Sequence, residues 1–366
     1  MNIMRKGFLY ISVLLVFLFD SVSGQVSFKG LDHLFTEPRH YVARYVREPP
    51  VIDGNTEEDV WKNAPWTDFF KDIEGDKKPD PPLKTRVKIL WNDTCLFVAA
   101  ELEEPHVWAN ISKRDQVVFY DNDFEVFIDP DNNTHQYFEI EVNALNTIFD
   151  LFLSKPYRNN SGALISWDAP GLRSAVKVLG TINRPYDTDK GWTVEMAIPF
   201  KAVTIGNDTK VPADGDLWRI NFSRVEWDSE VKNGSYRKRK GPDGKSLPEH
   251  NWVWSPQGVI NMHYPERWGY LLFSKSGSAS FSMPYSELQR RYLWLVYYRQ
   301  KEYFGRTKRY AKSLKDLGIS PEIEIDSKIN RLTMFASSSQ FCVTIDSDSG
   351  GAEINEEGLV QITRTE

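Results

Sequence analysis

The run from Asp121 to Asp150, DNDFEVFIDPDNNTHQYFEIEVNALNTIFD, restricts the possible folds more than any other part of the chain. Phe124, Val126 and Ile128 alternate with Glu125, Phe127 and Asp129, and Phe138, Ile140 and Val142 alternate with Glu139, Glu141 and Asn143. A period of two belongs to an antiparallel strand with one buried face, not to a helix. Between the arms, Pro130 to His135 supplies the Pro, Asp and Asn residues that favour turns. A hairpin and a third strand are predicted, with Glu125, Glu139 and Glu141 on one shared face. Burying unpaired charges in a dry core is expensive, so this face is expected to open to water, a ligand or a metal.

Short strands closed by turn residues continue on either side. Arg86 to Trp91 and Cys95 to Leu102 form a predicted pair around Asn92 and Asp93, and Trp192, Val194, Met196 and Ile198 alternate up to Pro199. Trp218, Ile220 and Phe222 repeat the pattern, and Trp268 to Phe273 closes it. The fold class predicted for 45–274 is mainly β, an antiparallel β-sandwich of immunoglobulin-like or jelly-roll-like two-sheet architecture. Val51-Ile52-Asp53-Gly54 followed by Trp61, Ala64 and Trp66 predicts an entry strand, a turn and an aromatic plug. Asp228 to Asn251, which carries Arg237-Lys238-Arg239-Lys240, reads as a solvated loop long enough to be a functional rim. Residues 25–44 show no period and read as a leader.

From Ser276 the texture changes. A helix is expected over Pro284 to Tyr303, with Leu288, Tyr292, Leu295 and Val296 inward, Arg290 and Lys301 outward, and Gly305 ending it. A second short helix over Tyr310 to Leu317 and strands at Leu332 to Phe335, Phe341 to Ile345 and Leu359 to Ile362 complete a small α+β appendage, 275–366. Its aromatics are expected to pack on the sandwich or on a protein partner.

Arg5 and Lys6 precede an apolar run from Phe8 to Phe19, and Ser21 to Gly24 are small apart from Val22. This is the pattern of a secretory signal peptide, 1–24, cleaved near Gly24, and no later stretch is apolar enough for membrane insertion. A secreted or periplasmic product follows. The net charge of -6 argues against a nucleic-acid partner. Cys95 and Cys342 are the only cysteines, so disulfides do not build the fold, and both are expected as buried thiols. Seven N-x-Ser/Thr sequences, at Asn92, Asn110, Asn132, Asn159, Asn207, Asn221 and Asn233, would carry glycans only in a eukaryotic secretory pathway. The 12 tryptophans suit a core and also the stacking of sugar faces.

The ordered segments VIDG, TRVKILWNDTCLFVAAELEEP, DNDFEVFIDPD, EIEVNALN, GWTVEMAIPF, WRINFSRVEW and PERWGYLLFS resemble the family 9 carbohydrate-binding modules, within the wider DOMON-like group of sugar- and haem-binding β-sandwiches. The resemblance covers roughly 45–274. It implies a ligand-binding sandwich that is not itself a catalyst. Family members hold a terminal sugar between two tryptophans, with a glutamate and an arginine on its hydroxyls. The glutamate corresponds to Glu125, and the first tryptophan to Phe119, beside Tyr120. The arginine position is Glu141, which reverses the charge, and the second tryptophan falls near Met262, with His263 and Tyr264 beside it. Glu139 and Asn143 complete the expected carbohydrate site. Members also bind structural calcium, for which Asp129, Asp131 and Asn133 offer alternate oxygens, although the same residues make an ordinary turn. No cofactor is required by this reading.

Three functions are then open: an oligo- or polysaccharide-binding protein acting in carbohydrate catabolism, a glycoside hydrolase using two strand carboxylates, and a haem-binding domain using His106, His135 or His263.

Overall fold

The computed structural model describes residues 28–206, 209–276 and 279–364; the signal peptide and the Asn207 sequence lie outside them. Strand pairing dominates, as the alternating patterns require. One sheet runs in the spatial order Ala163–Leu164, Ile148–Leu153, Tyr137–Asn143, Asp123–Asp129, Leu217–Glu226, Gly269–Ser274, His40–Tyr45, Thr85–Trp91, Cys95–Glu103, Gly191–Pro199 and Arg173–Val178. It curls into a β-sandwich. Val87, Ile89, Val98 and Val194 from one half meet Phe124, Val126, Ile140 and Phe222 from the other in a single core.

The join between the halves was not anticipated. His40–Tyr45, in the stretch read as a leader, pairs in parallel with both Gly269–Ser274 and Thr85–Trp91. Only Tyr41 and Ala43 of this strand are buried, too brief an alternation to register as a period. Val51 to Gly54 is a turn, not an entry strand. Glu195 holds it: Oε2 accepts the N–H groups of Asp53 and Gly54 at 3.0 and 2.8 Å, and Oε1 accepts the Trp61 indole at 2.6 Å. Gly54 has φ +85°, and a Cβ there would lie 2.9 Å from the Lys177 side chain, so glycine alone fits. Trp61 fills the end of the core as expected, whereas Trp66 is half-buried under the Arg86 guanidinium.

The appendage is a helix, Tyr285–Thr307, packed on a five-stranded antiparallel sheet, Glu322–Ile325, Lys328–Ala336, Phe341–Ser347, Gly350–Asn355 and Val360–Arg364. Leu31, Leu34 and Phe35 from the leader complete its core. The helix passes Gly305 and stops at Lys308, which takes a left-handed φ of 59°; of the second expected helix only the turn Leu314–Leu317 forms. Arg290 does not face outward. It is 7% exposed, donates to the Asn132 carbonyl, and lies 3.3 Å from Glu287, which also pairs with Arg219 of the sandwich at 2.9 Å. A helix covered on two sides has no single apolar stripe, which is why its charged residues misled the reading.

Three further expectations are corrected. Cys95 and Cys342 are free but half-buried rather than buried. All tryptophans except Trp66 and Trp167 are buried, so they serve the core and not an open sugar platform. The basic run is no bare loop: Ser229–Lys232 and Ser235–Lys238 pair as a hairpin, with the Lys238 ammonium 3.2 Å from the Trp227 ring centre.

Candidate functional site

The strand register assembles the site. Glu125 stands opposite Glu141 on one side and Ser223 on the other, Glu139 stands opposite Phe127, and Phe149 and Leu151 follow opposite Glu141 and Glu139. Side chains one strand apart in register share a face, so all of these point away from the sandwich core. Above them lies a cavity of about 540 Å³, within the range of ligand sites. Glu125, Glu139 and Glu141 form its floor together with Phe127 and Phe149, and Phe119, Tyr157, Met262 and His263 stand in its walls.

The carboxyls are not open to bulk water, as the alternation had suggested. Glu125, Glu139 and Glu141 are 4%, 4% and 1% exposed, because the loops bearing Phe119, Tyr157 and Met262 close over them. Among the described residues, no lysine or arginine lines the cavity. Oxygens of Asp123, Glu125 and Glu141 lie within 4.8 Å of one another. Burial pushes the Glu125 carboxyl up to about 7. Burial, with mutual repulsion added, holds Asp123, Glu139 and Glu141 well above the ordinary carboxylate range.

Backbone contacts hold the near wall to the floor. The Phe119 N–H donates to Glu141 Oε2 at 3.1 Å. Asp121 Oδ2 accepts the N–H groups of Asn110 and Ile111, both at 2.8 Å, and the Asn143 amide at 3.0 Å. Asn143 is therefore a fully buried brace beneath the loop and does not reach the cavity. On the far wall, Tyr157 meets the His263 ring edge-on at 4.4 Å, and His263 Nδ1 lies 2.9 Å from the Tyr137 hydroxyl. Burial pushes His263 down to about 3, so the ring is neutral.

Tyr264 and Tyr120 also fall outside the cavity lining. Arg158 forms two bonds to Glu266, at 2.7 and 3.0 Å, and packs over the Tyr264 ring at 4.6 Å, while Tyr298 donates to Glu266 at 2.6 Å. Tyr264 thus supports the loop that carries Tyr157. Tyr120 is 55% exposed on the outer side of Phe119. Of the expected carbohydrate-site residues, Phe119, Glu125, Glu139, Glu141 and Met262 come together, and Tyr120, Asn143 and Tyr264 do not. Phe149 lies in the third strand, whose near-continuous apolar run does not mark which residues face the cavity, and Tyr157, in an Asn-rich loop, carried no signal. Glu249 and Asn251, at the end of the long polar segment, also line the cavity.

The expected calcium ligands behave as a turn. Asp129 Oδ2 accepts the Thr134 N–H at 2.8 Å, Asn133 donates to Asp131 Oδ2 at 2.7 Å, and Asn133 Oδ1 accepts the His135 N–H at 2.7 Å. Three of their side-chain oxygens are spent on the loop, and Asp131 is exposed at its edge while Asp129 Oδ1 is buried, so the donor set fits a turn better than a six- to eight-oxygen ion. A second acidic group, Asp115, Asp150 and Asp168, is bridged by Arg114, at 2.7 Å from Asp150 and 2.8 Å from Asp168. The histidines have separate surroundings: His106 faces the Tyr236 hydroxyl, His135 sits in the turn against Thr134, and only His263 lines the cavity.

Residues 52–240 match the family model described as carbohydrate family 9 binding domain-like. The chain is 25% identical over 173 residues to endo-1,4-beta-xylanase A of Thermoanaerobacterium saccharolyticum, a match covering 47% of this chain and 13% of that protein. It is likewise 25% identical over 173 residues to exoglucanase XynX of Acetivibrio thermocellus, covering 47% and 14%. The match thus spans a small fraction of these relatives' length. A solved carbohydrate binding module family 9 from Caldicellulosiruptor kristjanssonii, in complex with cellotriose, superposes with a TM-score of 0.40 at 16% identity, covering 67% of this chain and all of the module.

Proposed function

The chain belongs to the carbohydrate family 9 binding domain-like family, and from that premise we propose that it is a secreted carbohydrate-binding protein acting in polysaccharide recognition, with the cavity over Glu125, Glu139 and Glu141 as its sugar site. The observation that carries this reading is the pairing of a carboxyl floor with aromatic walls. Carboxyl oxygens accept bonds from sugar hydroxyls, and a ring such as Phe119 covers the apolar face of a pyranose. The curated relatives are named for xylan and glucan chains, which makes β-linked oligosaccharides the first ligands to try. Among the described residues, no helix is long and apolar enough to cross a membrane.

A glycosidase needs one carboxyl held protonated beside another held ionised. Burial raises all the floor carboxyls, and release of reducing sugar by the purified chain, abolished by Glu125→Gln, is the result that would favour hydrolysis over binding. The test is calorimetry of the purified chain against a panel of neutral, acidic and amino oligosaccharides. At least one is expected to bind, with Glu125→Ala weakening it at least tenfold. Silence across the whole panel, or an unchanged affinity in the variant, contradicts the reading.

A further inference from the structure

The floor of the cavity has an imbalance that hydroxyl groups do not resolve. Glu125, Glu139, Glu141 and Glu249 all line it, no lysine or arginine does so among the described residues, and the one imidazole, His263, stops 4.0 Å from Glu139. Two acceptors are left over: Glu139 Oε2 and, beside Glu125 on the same strand face, Asp123 Oδ2 are buried without a hydrogen-bond partner. A sugar hydroxyl brings one donor, enough to satisfy one of these oxygens, but no charge to balance the cluster of carboxyls. An ammonium group brings three donors and no acceptor, together with the charge that the floor lacks.

We propose that the cavity selects a sugar bearing a free amino group, a glucosamine-type residue, whose ammonium sits between Glu125 and Glu141 while Phe119 covers one face of the ring. This rests on the reading of the cavity as a sugar site and names its ligand class. The walls suit such a ligand, since aromatic faces attract a cation as well as an apolar sugar face. The raised carboxyls agree: with nothing cationic beside them they hold protons, which an arriving ammonium displaces. A divalent metal fits less well. Glu141 Oε2 already accepts the Phe119 N–H and Asp123 Oδ1 the Val225 N–H, so two of the oxygens nearest the centre of the floor are partly engaged, and the chelator arm below distinguishes a metal from an ammonium.

Calorimetry on the purified chain at one pH, with and without chelator, compares three β-1,4 trimers: glucosamine, N-acetylglucosamine and glucose. The glucosamine trimer is expected to bind at least tenfold more tightly than the other two, and Glu141→Gln is expected to bring that ratio close to one. Glu125→Gln serves the same purpose should the first variant fail to fold, judged by its melting transition. Equal binding of all three trimers overturns the amino-sugar inference and leaves the sugar site standing. No binding by any trimer overturns the inference, and the sugar site with it when the broader panel is also silent. Binding that disappears with chelator and returns with calcium overturns the inference in favour of a metal-bearing floor.

Discussion

The backbone N–H of Phe119 donates to Glu141 Oε2 across 3.1 Å, which ties the near wall of the cavity to its floor. The consequence is mechanical as well as electrostatic. A ring that would otherwise hang from a loop is held at a fixed height above the carboxyls, and a prepaid geometry of this kind raises affinity by lowering the ordering cost of binding.

Phe119→Ala is expected to weaken oligosaccharide binding about tenfold, the scale of one lost aromatic contact with its area. Phe119→Trp is expected to retain binding within about threefold, because the N–H to Glu141 belongs to the backbone. Titration calorimetry distinguishes the two; a Phe119→Ala affinity equal to the parent removes the near wall from the site.

Glu125 gives a stability prediction with a defined sign. Burial raises its carboxyl from 4.5 to about 7, so the folded protein prefers the protonated form. The stability linked to this group is fully present below the unfolded value and is lost as pH rises through 7. Glu125→Gln, which is neutral at every pH, should match the parent near pH 4 and exceed it at pH 8 by up to about 3 kcal/mol. Urea melts at both pH values check this, and a variant less stable than the parent at pH 8 contradicts it.

Arg158 and Glu266 form a buried pair, 14% and 1% exposed at their side chains, that fixes the Tyr157 loop near the C-terminal helix. Arg158→Ala leaves Glu266 buried without its cation and should cost about 3 to 5 kcal/mol. Tyr264→Leu, which removes only the ring beneath the guanidinium, is expected to change ligand affinity less than twofold. A large affinity loss in Tyr264→Leu with an unchanged melting temperature would return Tyr264 to the site.

Glu195→Gln tests the opposite end of the sandwich. Its carboxylate receives three donors, from Asp53, Gly54 and Trp61, and an amide turns an N–H toward some of them. A loss of about 2 kcal/mol in a urea melt is expected, with sugar affinity unchanged. Coupled loss of affinity would place this turn in communication with the cavity.

Much of this was legible because period two is a local signal. The alternation through Phe124, Val126 and Ile128 identifies a strand, and the register of its hairpin puts Glu125 beside Glu141 without further information. What covers that face was not legible. Phe119 and Met262 were reached through family resemblance, while Tyr157 arrives from a loop whose path is set by Arg158 and a helix far away in sequence. The exposure of the carboxyls was misjudged for the same reason: alternation reports which face a residue is on, not what lies above it. His40–Tyr45 escaped because a short parallel strand joining two sheet halves is specified by its neighbours on both sides.

The most direct measurement is a crystal structure of the protein with a bound oligosaccharide. The account predicts sugar density over the carboxyls of Glu125 and Glu141, between the Phe119 ring and the Tyr157 and Met262 wall. Density for the sugar elsewhere on the sandwich, with this cavity holding only solvent, would contradict it.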